Sequence, residues 1–240
     1  MSPDLDRKET TMDHSPVIRK LRFVDIPKAV RMIVAAMEND PTIHYFRDTS
    51  DAKADYWQKK WKYNMAIILA NAIRKDEAWT VGDVYACLVF EPADQTEDIL
   101  DKLVYGMLRI FNRTVAPQLY SRQQKRRGAE WKVKSEEAIR VTLGGRKRSM
   151  WYLAELATHP DHQGHGFGSA LVRSFTERVD KHGGLSWLMS SNIENTAFYN
   201  SLGFITKAEI PLGDSDPDWH GPPVVNSLMI RDVSEKETLV

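Results

Sequence analysis

One glycine-rich stretch constrains the fold more than any other part of the sequence: Gln163–Ser169, which reads Gln-Gly-His-Gly-Phe-Gly-Ser. It follows an apolar run, Met150–Thr158, that has the composition of a strand. It precedes apolar residues at helical spacing: Leu171, Val172, Phe175 and Val179. Glycines let a backbone turn sharply, and the free N–H groups and dipole at a helix start favour an anion. The pattern predicts a strand, a tight turn and a helix that together cradle a phosphate, with an ordinary glycine-rich loop as the alternative.

Two other nucleotide motifs do not fit this stretch. A P-loop needs Gly-Lys-Ser/Thr, and Gly166–Ser169 contains no lysine. A dinucleotide fingerprint needs a third glycine where Ser169 stands, and an acid at the end of the next strand, Leu185–Met189, which has none. Four residues beside the turn could in principle bind a metal ion: His159, Asp161, His162 and His165. Their spacing is not that of known metal-binding motifs, so we expect no metal site.

The order of the predicted elements indicates an α+β (mixed α/β) fold with one central sheet. The predicted strands are Val17–Val24, Ala78–Val81, Val84–Phe90, Met150–Thr158, Leu185–Met189, Phe204–Ile210 and Val224–Val233. The predicted helices begin after Asp25, at Ser50 or Asp51, at Phe167 and at Glu194, and the first ends before Asn39-Asp40-Pro41. The second helix carries an apolar stripe that we interpret as core: Trp57, Trp61, Met65, Ile68 and Ala72.

We predict a single domain over residues 17–233, with an insertion at about 91–148, a disordered arm at 1–16 and a polar tail at 234–240. The insertion has an apolar stripe at helical spacing, namely Ile99, Leu103, Met107 and Ile110, and a possible short helix over Lys132–Ile139. Its basic run, Arg122–Arg127, is surrounded by polar residues, so we expect it to be solvated.

The charge balance argues against nucleic-acid or membrane binding. The 33 basic residues are matched by 33 acidic ones, so no net field attracts the chain to a polyanion. No segment approaches the roughly 20 apolar residues that a membrane helix needs. The one cysteine, Cys87, lies in an apolar run and is predicted to be an inert core residue, which is typical of a cytoplasmic protein.

Two ordered segments resemble the signatures of the GNAT superfamily of N-acetyltransferases, of a fungal, small-molecule type. Leu156–Leu171 is similar to the acetyl-CoA motif, in which Gln/Arg-x-x-Gly-x-Gly/Ala binds the pyrophosphate. Ser191–Phe204 is similar to the second signature, a helix with asparagines that ends in Tyr-x-x-x-Gly-Phe. The resemblance implies the GNAT fold, whose central, mostly antiparallel sheet is splayed at the fourth and fifth strands and flanked by helices.

The resemblance also implies roles for named residues, with acetyl-CoA as cosubstrate. Backbone groups would pair with the pantetheine arm at Leu156, Ala157 and Thr158. The pyrophosphate would be held by Gln163, Gly164, His165, Gly166, Phe167, Gly168 and Ser169. Asn192 or Asn195 would reach the cofactor, together with Phe198. Tyr199 would protonate the departing thiolate, since a neutral phenol can donate to a thiolate; a packing tyrosine is the alternative.

The general base is less evident. In relatives an acid or histidine often lies nine or eleven residues before the motif Gln, and those positions hold Ala154 and Tyr152. Glu155 is the only carboxylate of the strand, so it is our candidate. Strand alternation places Glu155 on the face opposite Ala154 unless a bulge redirects it. Deprotonation through water, or a structural role for Glu155, are the alternatives.

The function implied is transfer of an acetyl group to a primary amine of a small molecule by direct attack, in a monomer or homodimer. No Cys or Ser of the site has an activating base beside it, so we expect no covalent enzyme intermediate. We expect an aromatic-walled pocket made of Trp57, Trp61, Trp151 and Tyr152, with the Ile99–Ile110 helix packed beside the acceptor. Two alternatives stay open: acetylation of protein lysines or N-termini, and a catalytically degenerate acyl-CoA-binding regulatory domain, which Ala154 would suit.

Overall fold

The computed structural model describes residues 16–52, 56–114, 120–214 and 216–232, except for the side chains of residues 56, 57, 111 and 112. Residues 1–15 of the predicted arm, the predicted tail at 234–240 and the side chain of Trp57 therefore lie outside the described residues. No helix among the described ranges is long and apolar enough to cross a membrane.

Seven strands form one sheet, in the order β1-β2-β3-β4-β5-β7-β6. All neighbouring pairs are antiparallel except β4 and β5, which run parallel. The strands are β1 (Ile18–Lys20), β2 (Ala78–Val81), β3 (Ala86–Glu91), β4 (Met150–Thr158), β5 (Leu185–Ser190), β6 (Ile205–Leu212) and β7 (Val224–Arg231). The predicted mixed α/β class with a mostly antiparallel central sheet is confirmed.

Helices cover both faces of this sheet. In chain order they are α1 (Ile26–Ala36), α2 (Pro41–Arg47), α3 (Tyr56–Arg74), α4 (Ile99–Thr114), α5 (Arg122–Thr142), α6 (Phe167–Lys181) and α7 (Thr196–Asn200). The alternation of β3 separates the two layers: Leu88 and Phe90 pack in the core cluster that contains the α6 residues, whereas Cys87 and Val89 pack with α1 and α3. Cys87 is fully buried, as predicted.

Helix α6 holds the glycine-rich turn against the sheet. Its predicted apolar stripe is confirmed, because Leu171, Val172, Phe175 and Val179 are all completely buried. Burial of one such side chain stabilises the fold by about 1.5–3 kcal/mol relative to exposure. The start of α6 is therefore a rigid support for the turn that precedes it.

The first predicted helix ends before Asn39-Asp40-Pro41, as expected, since α1 stops at Ala36. Asp40 then caps α2 by accepting a 3.0 Å hydrogen bond from the N–H of Ile43, and Pro41 occupies the first turn. The predicted strand Val17–Val24 is shorter, since Phe23–Asp25 forms a 3₁₀ turn. The Asp25 carboxylate closes that turn by accepting from the Arg22 N–H, rather than capping α1.

The region between β3 and β4 contains α4 and α5. The apolar stripe of α4 is not buried: Ile99, Leu103, Met107 and Ile110 are all more than half exposed. The helix is attached through its opposite, polar face, where the fully buried Asp101 accepts hydrogen bonds from Asn71 and Arg74 of α3. None of the α4 residues lines the cleft at β4, so the predicted packing of Ile99–Ile110 beside the acceptor is not observed in the described residues.

The basic run Arg122–Arg127 is not a solvated loop but the first turns of α5, and the prediction is wrong for Arg127. This arginine is 2% exposed. Its Nε donates to Asp216 over 2.8 Å, its Nη1 donates to the carbonyl of Tyr45, and its guanidinium lies over the Tyr45 ring. A buried arginine is tolerated when its charge is paired and its donors are used, and these partners come from distant segments.

Candidate active site

The sheet opens where β4 and β5 separate. Their parallel pairing covers only Met150–Leu153 against Leu185–Leu188. Beyond Leu153, β4 stays paired with β3 as far as Thr158, so its other edge faces no strand in the described part of the chain. Backbone N–H and C=O groups along residues 154–158 are therefore available to a ligand that lies between the two strands.

A β-bulge at Ala154 sets the direction of Glu155. In the β3–β4 ladder Phe90 pairs with Leu153 and Val89 with Glu155, which leaves Ala154 as an extra residue. Leu156 packs with the α6 cluster, whereas Ala154 and Ala157 both pack with the α1 and α3 cluster. Because side chains alternate along a strand, Glu155 lies on the same face as Ala154 and Ala157. Strand alternation alone would have placed Glu155 opposite Ala154, and the bulge considered in the sequence analysis is the reason that it does not.

A cleft of about 850 Å³ passes through the opening between β4 and β5. It brings together the predicted site residues Glu155, Leu156, Ala157, Thr158, Gln163, Gly164, Gly166, Phe167, Gly168, Ser169, Asn192, Asn195, Phe198 and Tyr199. Of the predicted set, only His165 is not part of the lining. Its Nδ1 lies 2.9 Å from the carbonyl of Gln163, and its ring stacks on Phe167.

The glycines of the turn are used in two different ways. Gly164 and Gly166 have φ values of +77° and +76°, which disfavour other residues, and a Cβ at either position would meet no atom within 4 Å. The space beside them is open to a ligand. A Cβ on Gly168 would make ordinary contacts, 3.4 Å from Thr158 Oγ1 and 3.7 Å from the Phe198 ring, so this position faces β4 and α7 rather than open space.

The turn is anchored at its base. The N–H of His159 donates to the carbonyl of Tyr85 over 2.8 Å, and the rings of Tyr85 and His162 are 4.0 Å apart. Gln163 Nε2 donates to the carbonyl of Thr158 over 3.3 Å. Gly166 occupies the N-cap of α6 and brings no side-chain acceptor. The first N–H groups of α6 are thus directed into the open turn, where an anion is favoured.

The two candidate asparagines differ in their surroundings. The Asn192 side chain caps the next turn by accepting a 3.0 Å hydrogen bond from the N–H of Glu194. The Asn195 side chain has no hydrogen bond to the described residues, and it is exposed at the edge of the cleft. Asn195 is therefore the residue whose amide is free to meet a ligand.

Tyr199 stands at the inner end of the cleft and is 8% exposed. Its ring makes edge contacts with Phe198 and Phe204, at centroid distances of 5.0 and 6.1 Å. Burial raises the pKa of the phenol well above its usual range, and the nearby carboxylate of Glu155 raises it further. The hydroxyl group is therefore protonated at any physiological pH and can act as a proton donor.

Glu155 is half-buried, and its carboxylate has no hydrogen bond or ion pair with the described residues. Burial raises its pKa to about 7, and the carboxylate of Asp40 adds to the rise. Asp40 is itself bound to the protein, since the hydroxyl of Ser191 donates to it over 2.5 Å. An unpaired carboxylate that titrates near neutral pH inside a cleft is typical of a general base.

The face of the cleft formed by α1, α2 and α3 was not foreseen as a whole. Its lining residues include Met37, Asn39, Asp40, Ile43 and Trp61. Asp40-Pro41 is a good sequence signal for a capped helix start. This signal would have predicted α2, which contributes to this wall of the cleft. Of the predicted aromatic wall, Trp61 does line the cleft.

Two other aromatic residues of that prediction lie elsewhere. Trp151 is 6% exposed and packs against Phe175 in the α6 core, so its assignment to the pocket is wrong. Tyr152 stacks on Trp187 at 4.1 Å and is not in the lining. Both belong to the part of β4 that precedes the bulge, where β5 covers the strand edge.

Comparison with known proteins supports this reading of the fold. Residues 130–206 match the sequence model of the acetyltransferase (GNAT) domain. A Corynebacterium glutamicum structure, described as histone acetyltransferase HPA2 and related acetyltransferase, is similar at 20% identity and a TM-score of 0.53, covering 90% of this chain and 96% of that one. Drosophila melanogaster polyamine N acetyltransferase gives 13% identity and a TM-score of 0.59, covering 90% and 99%. Arylalkylamine N-acetyltransferase 2 from Aedes aegypti gives 14% and 0.59, covering 90% and 98%.

These solved structures establish the shared fold, and the matched segment contains β4, the glycine-rich turn, α6, β5 and α7. The sequence similarity to the acetyltransferase (GNAT) domain covers residues 130–206, and the fold of the chain is similar to that of N-acetyltransferase structures.

Proposed function

We propose that this protein transfers an acetyl group from acetyl-CoA to the primary amine of a small molecule, by direct attack on the thioester. The observation that carries the proposal is the placement of Glu155 and Tyr199 in one cleft, on the open edge of β4 and beside the glycine-rich turn. The cleft thus contains a proton acceptor, a proton donor and a place for an acyl donor.

The residues present fit acetyl-CoA, which supplies an acyl group activated as a thioester. The open space beside Gly164 and Gly166, with the uncapped start of α6, suits a pyrophosphate. The unpaired edge of residues 154–158 suits the amide groups of a pantetheine arm, which can extend the sheet as an added strand would. The free amide of Asn195 is within the same cleft.

Two side chains of the chain handle protons in this proposal. Glu155 accepts a proton from the amine at its carboxylate oxygen, either directly or through one water. With a pKa of about 7, a large fraction of this carboxylate is ionised at neutral pH and is still basic enough to accept a proton. Tyr199 donates its Oη proton to the sulfur that leaves. A positioned acid or base contributes about 10²–10⁴-fold to a rate, and the holding of two reactants together contributes further.

The lining of the cleft favours a cationic acceptor. Among the described residues it includes three carboxylates, those of Asp40, Glu155 and Glu194, and no lysine or arginine. Trp61 adds an aromatic surface, which attracts an ammonium group. Two solved structures of similar fold are named for small amines, a polyamine N acetyltransferase and an arylalkylamine N-acetyltransferase. These features support a small amine as the acceptor.

The sole cysteine supports direct transfer in a cytoplasmic setting. Cys87 is completely buried on β3, and burial raises the pKa of its thiol far above its usual range. A thiol in that state is neither a nucleophile nor exposed to oxidation. The acetyl group is therefore proposed to pass to the amine without an acyl-enzyme.

A turnover assay tests this proposal. The protein is incubated with acetyl-CoA and a panel of polyamines, arylalkylamines, amino acids and lysine peptides, and released CoA is measured through its thiol. We expect turnover with one or more small amines. Turnover with lysine or N-terminal peptides alone would establish the protein acetyltransferase alternative. CoA binding with no turnover on any amine would establish a degenerate binding domain.

A further inference from the structure

A second large cavity lies apart from the acyl-transfer cleft. Its volume is about 1120 Å³, and it is bounded by α4 on one side and by the 3₁₀ turn Gly144–Ser149 on the other. None of its lining residues is shared with the cleft at Glu155. A cavity of this size accommodates a ligand of cofactor or metabolite dimensions.

The walls of this cavity are strongly cationic. Five basic side chains line it, against the two carboxylates of Glu91 and Glu97. The basic residues are Lys75, Arg109, Arg113, Lys147 and Arg148. Like charges that converge on one cavity repel each other, and an anion bound between them would reverse that cost.

Most of these cations lack an internal partner. The side chains of Arg109, Arg113 and Arg148 make no hydrogen bond or ion pair with the described residues. Lys147 lies 5.8 Å from the centroid of the Trp187 ring and interacts at longer range with the Glu91 carboxylate, whereas Lys75 is paired with Asp101. The neighbouring Arg74, outside the lining, is by contrast bound to Asp98 and Asp101.

The geometry of the two walls suits phosphate groups. Arg109 and Arg113 are four residues apart on α4, so they project from the same face of the helix. Lys147 and Arg148 follow Gly144 and Gly145, beside which a Cβ would meet no atom within 4 Å. Guanidinium groups bind phosphate oxygens in pairs, and glycines allow close approach of the backbone. Tyr105 and Leu108 add apolar surface for the body of a ligand.

We propose that this cavity is a binding site for a small organic molecule with two or more phosphate groups, held between the Arg109–Arg113 face of α4 and the Lys147–Arg148 turn. The site is separate from acyl transfer, so the proposal does not depend on the proposed function. It predicts an anion-binding activity that would be present in the protein even if no amine were acetylated.

Calorimetry with inorganic pyrophosphate tests the site. The reference protein is the Gly166→Glu variant, in which the glycine-rich turn is closed to a pyrophosphate group. We expect the reference to bind pyrophosphate in the micromolar range, and we expect at least a tenfold weaker Kd when Arg109→Ala/Arg113→Ala or Lys147→Ala/Arg148→Ala is added. Lys102→Ala on α4 and Arg146→Ala in the turn are controls outside the lining, and their Kd should stay within twofold of the reference.

Three results would overturn the proposal. They are absence of pyrophosphate binding at millimolar concentration, equal losses in the control variants, and citrate binding as tight as that of pyrophosphate. Far-UV circular dichroism monitors folding, and the exposed positions of Arg109 and Arg113 should leave it unchanged.

Discussion

At the scale of single residues, Glu155 combines features that a structural carboxylate does not show. It is half-buried, has no partner among the described residues, and owes its direction to the extra residue before it. Its pKa of about 7 in the folded protein lies above the value of 4.5 for a free side chain. The stabilising contribution of such a group is present below pH 4.5 and is lost as the pH rises through 7.

Glu155→Gln should therefore separate activity from stability. We expect kcat/KM to fall by about 10²–10⁴-fold because the proton acceptor is lost. At pH 8 we expect the free energy of unfolding to rise by about 1–2 kcal/mol, since an unpaired charge is removed from a half-buried position. In the wild type, kcat/KM should decline below about pH 7. A variant that is as active as wild type, or less stable at pH 8, would show that Glu155 is a structural residue.

The role of Tyr199 can be tested by removal of one oxygen atom. Tyr199→Phe should lower kcat by about 10- to 1000-fold with little change in CoA affinity, because a proton donor acts mainly in the transition state. Tyr152→Phe is the matched control, since Tyr152 is a half-buried tyrosine whose pKa is also raised by burial but which lies outside the cleft lining. Steady-state kinetics and CoA calorimetry provide the measurements. Equal losses in both variants would argue for packing rather than proton transfer.

Gly166 is the most direct test of donor binding. Gly166→Glu should weaken CoA binding by more than 100-fold, because a carboxylate would enter the space assigned to the pyrophosphate. Gly183→Glu controls for backbone strain: Gly183 also has a positive φ, +60°, with open space around it, at the other end of α6. Calorimetry with CoA measures both. Undiminished affinity in folded Gly166→Glu protein would exclude this turn as the donor site.

At the scale of elements, α4 is held by one buried acid rather than by its apolar stripe. Asp101 is completely buried and accepts hydrogen bonds from Asn71, Arg74 and Lys75 of the α3 end. Burial alone would raise its pKa, but the bonds from Asn71, the Asp98 backbone and Lys75 lower it to about 2. Its contribution to stability is thus present above the free-side-chain value of 3.8 and is lost only as the pH falls toward 2.

Asp101→Ala should destabilise the protein by about 1.5–3 kcal/mol, because Asn71, Arg74 and Lys75 each lose a hydrogen bond to a buried carboxylate. Glu137→Ala removes an exposed pair with Arg140 on α5 and should change stability by no more than about 1 kcal/mol. Denaturant unfolding gives both values. The affinity for CoA should be unchanged in Asp101→Ala, since α4 does not line that cleft. Equal small effects in the two variants would mean that α4 is not anchored there.

Elements with a strong local pattern were predictable from the sequence, and elements that depend on distant contacts were not. The β4–turn–α6 unit follows from composition and from the period of its apolar residues, and so do β5 and the Tyr199 helix. The bulge at Ala154 does not, because it is defined by pairing with Val89 and Phe90 on another strand. The burial of Arg127 depends on Asp216, which is far away in the sequence. The apolar stripe of α4 was predicted to pack beside the acceptor but is exposed. Helical periodicity shows which residues share a face, but not whether another element covers that face.

At the scale of the whole molecule, the chain places two independent cavities on one sheet. The acyl-transfer cleft is acidic where the acceptor would bind, and the second cavity is basic. The overall charge is balanced, so neither property is visible in the composition. Acidic and basic residues are equal in number but lie in different parts of the molecule. The composition could therefore argue against binding to nucleic acid or a membrane, but it could not reveal either cavity.

The separation of β4 and β5 lets the cleft extend across the sheet from one face to the other. Its walls come from α1, α2 and α3 on one face and from the glycine-rich turn and α7 on the other. In the proposed reaction the donor and the acceptor would therefore lie against different walls and be bound at the same time. Initial-rate measurements with both concentrations varied should give intersecting double-reciprocal lines. Parallel lines would mean that one product departs before the second reactant arrives, which would contradict simultaneous binding.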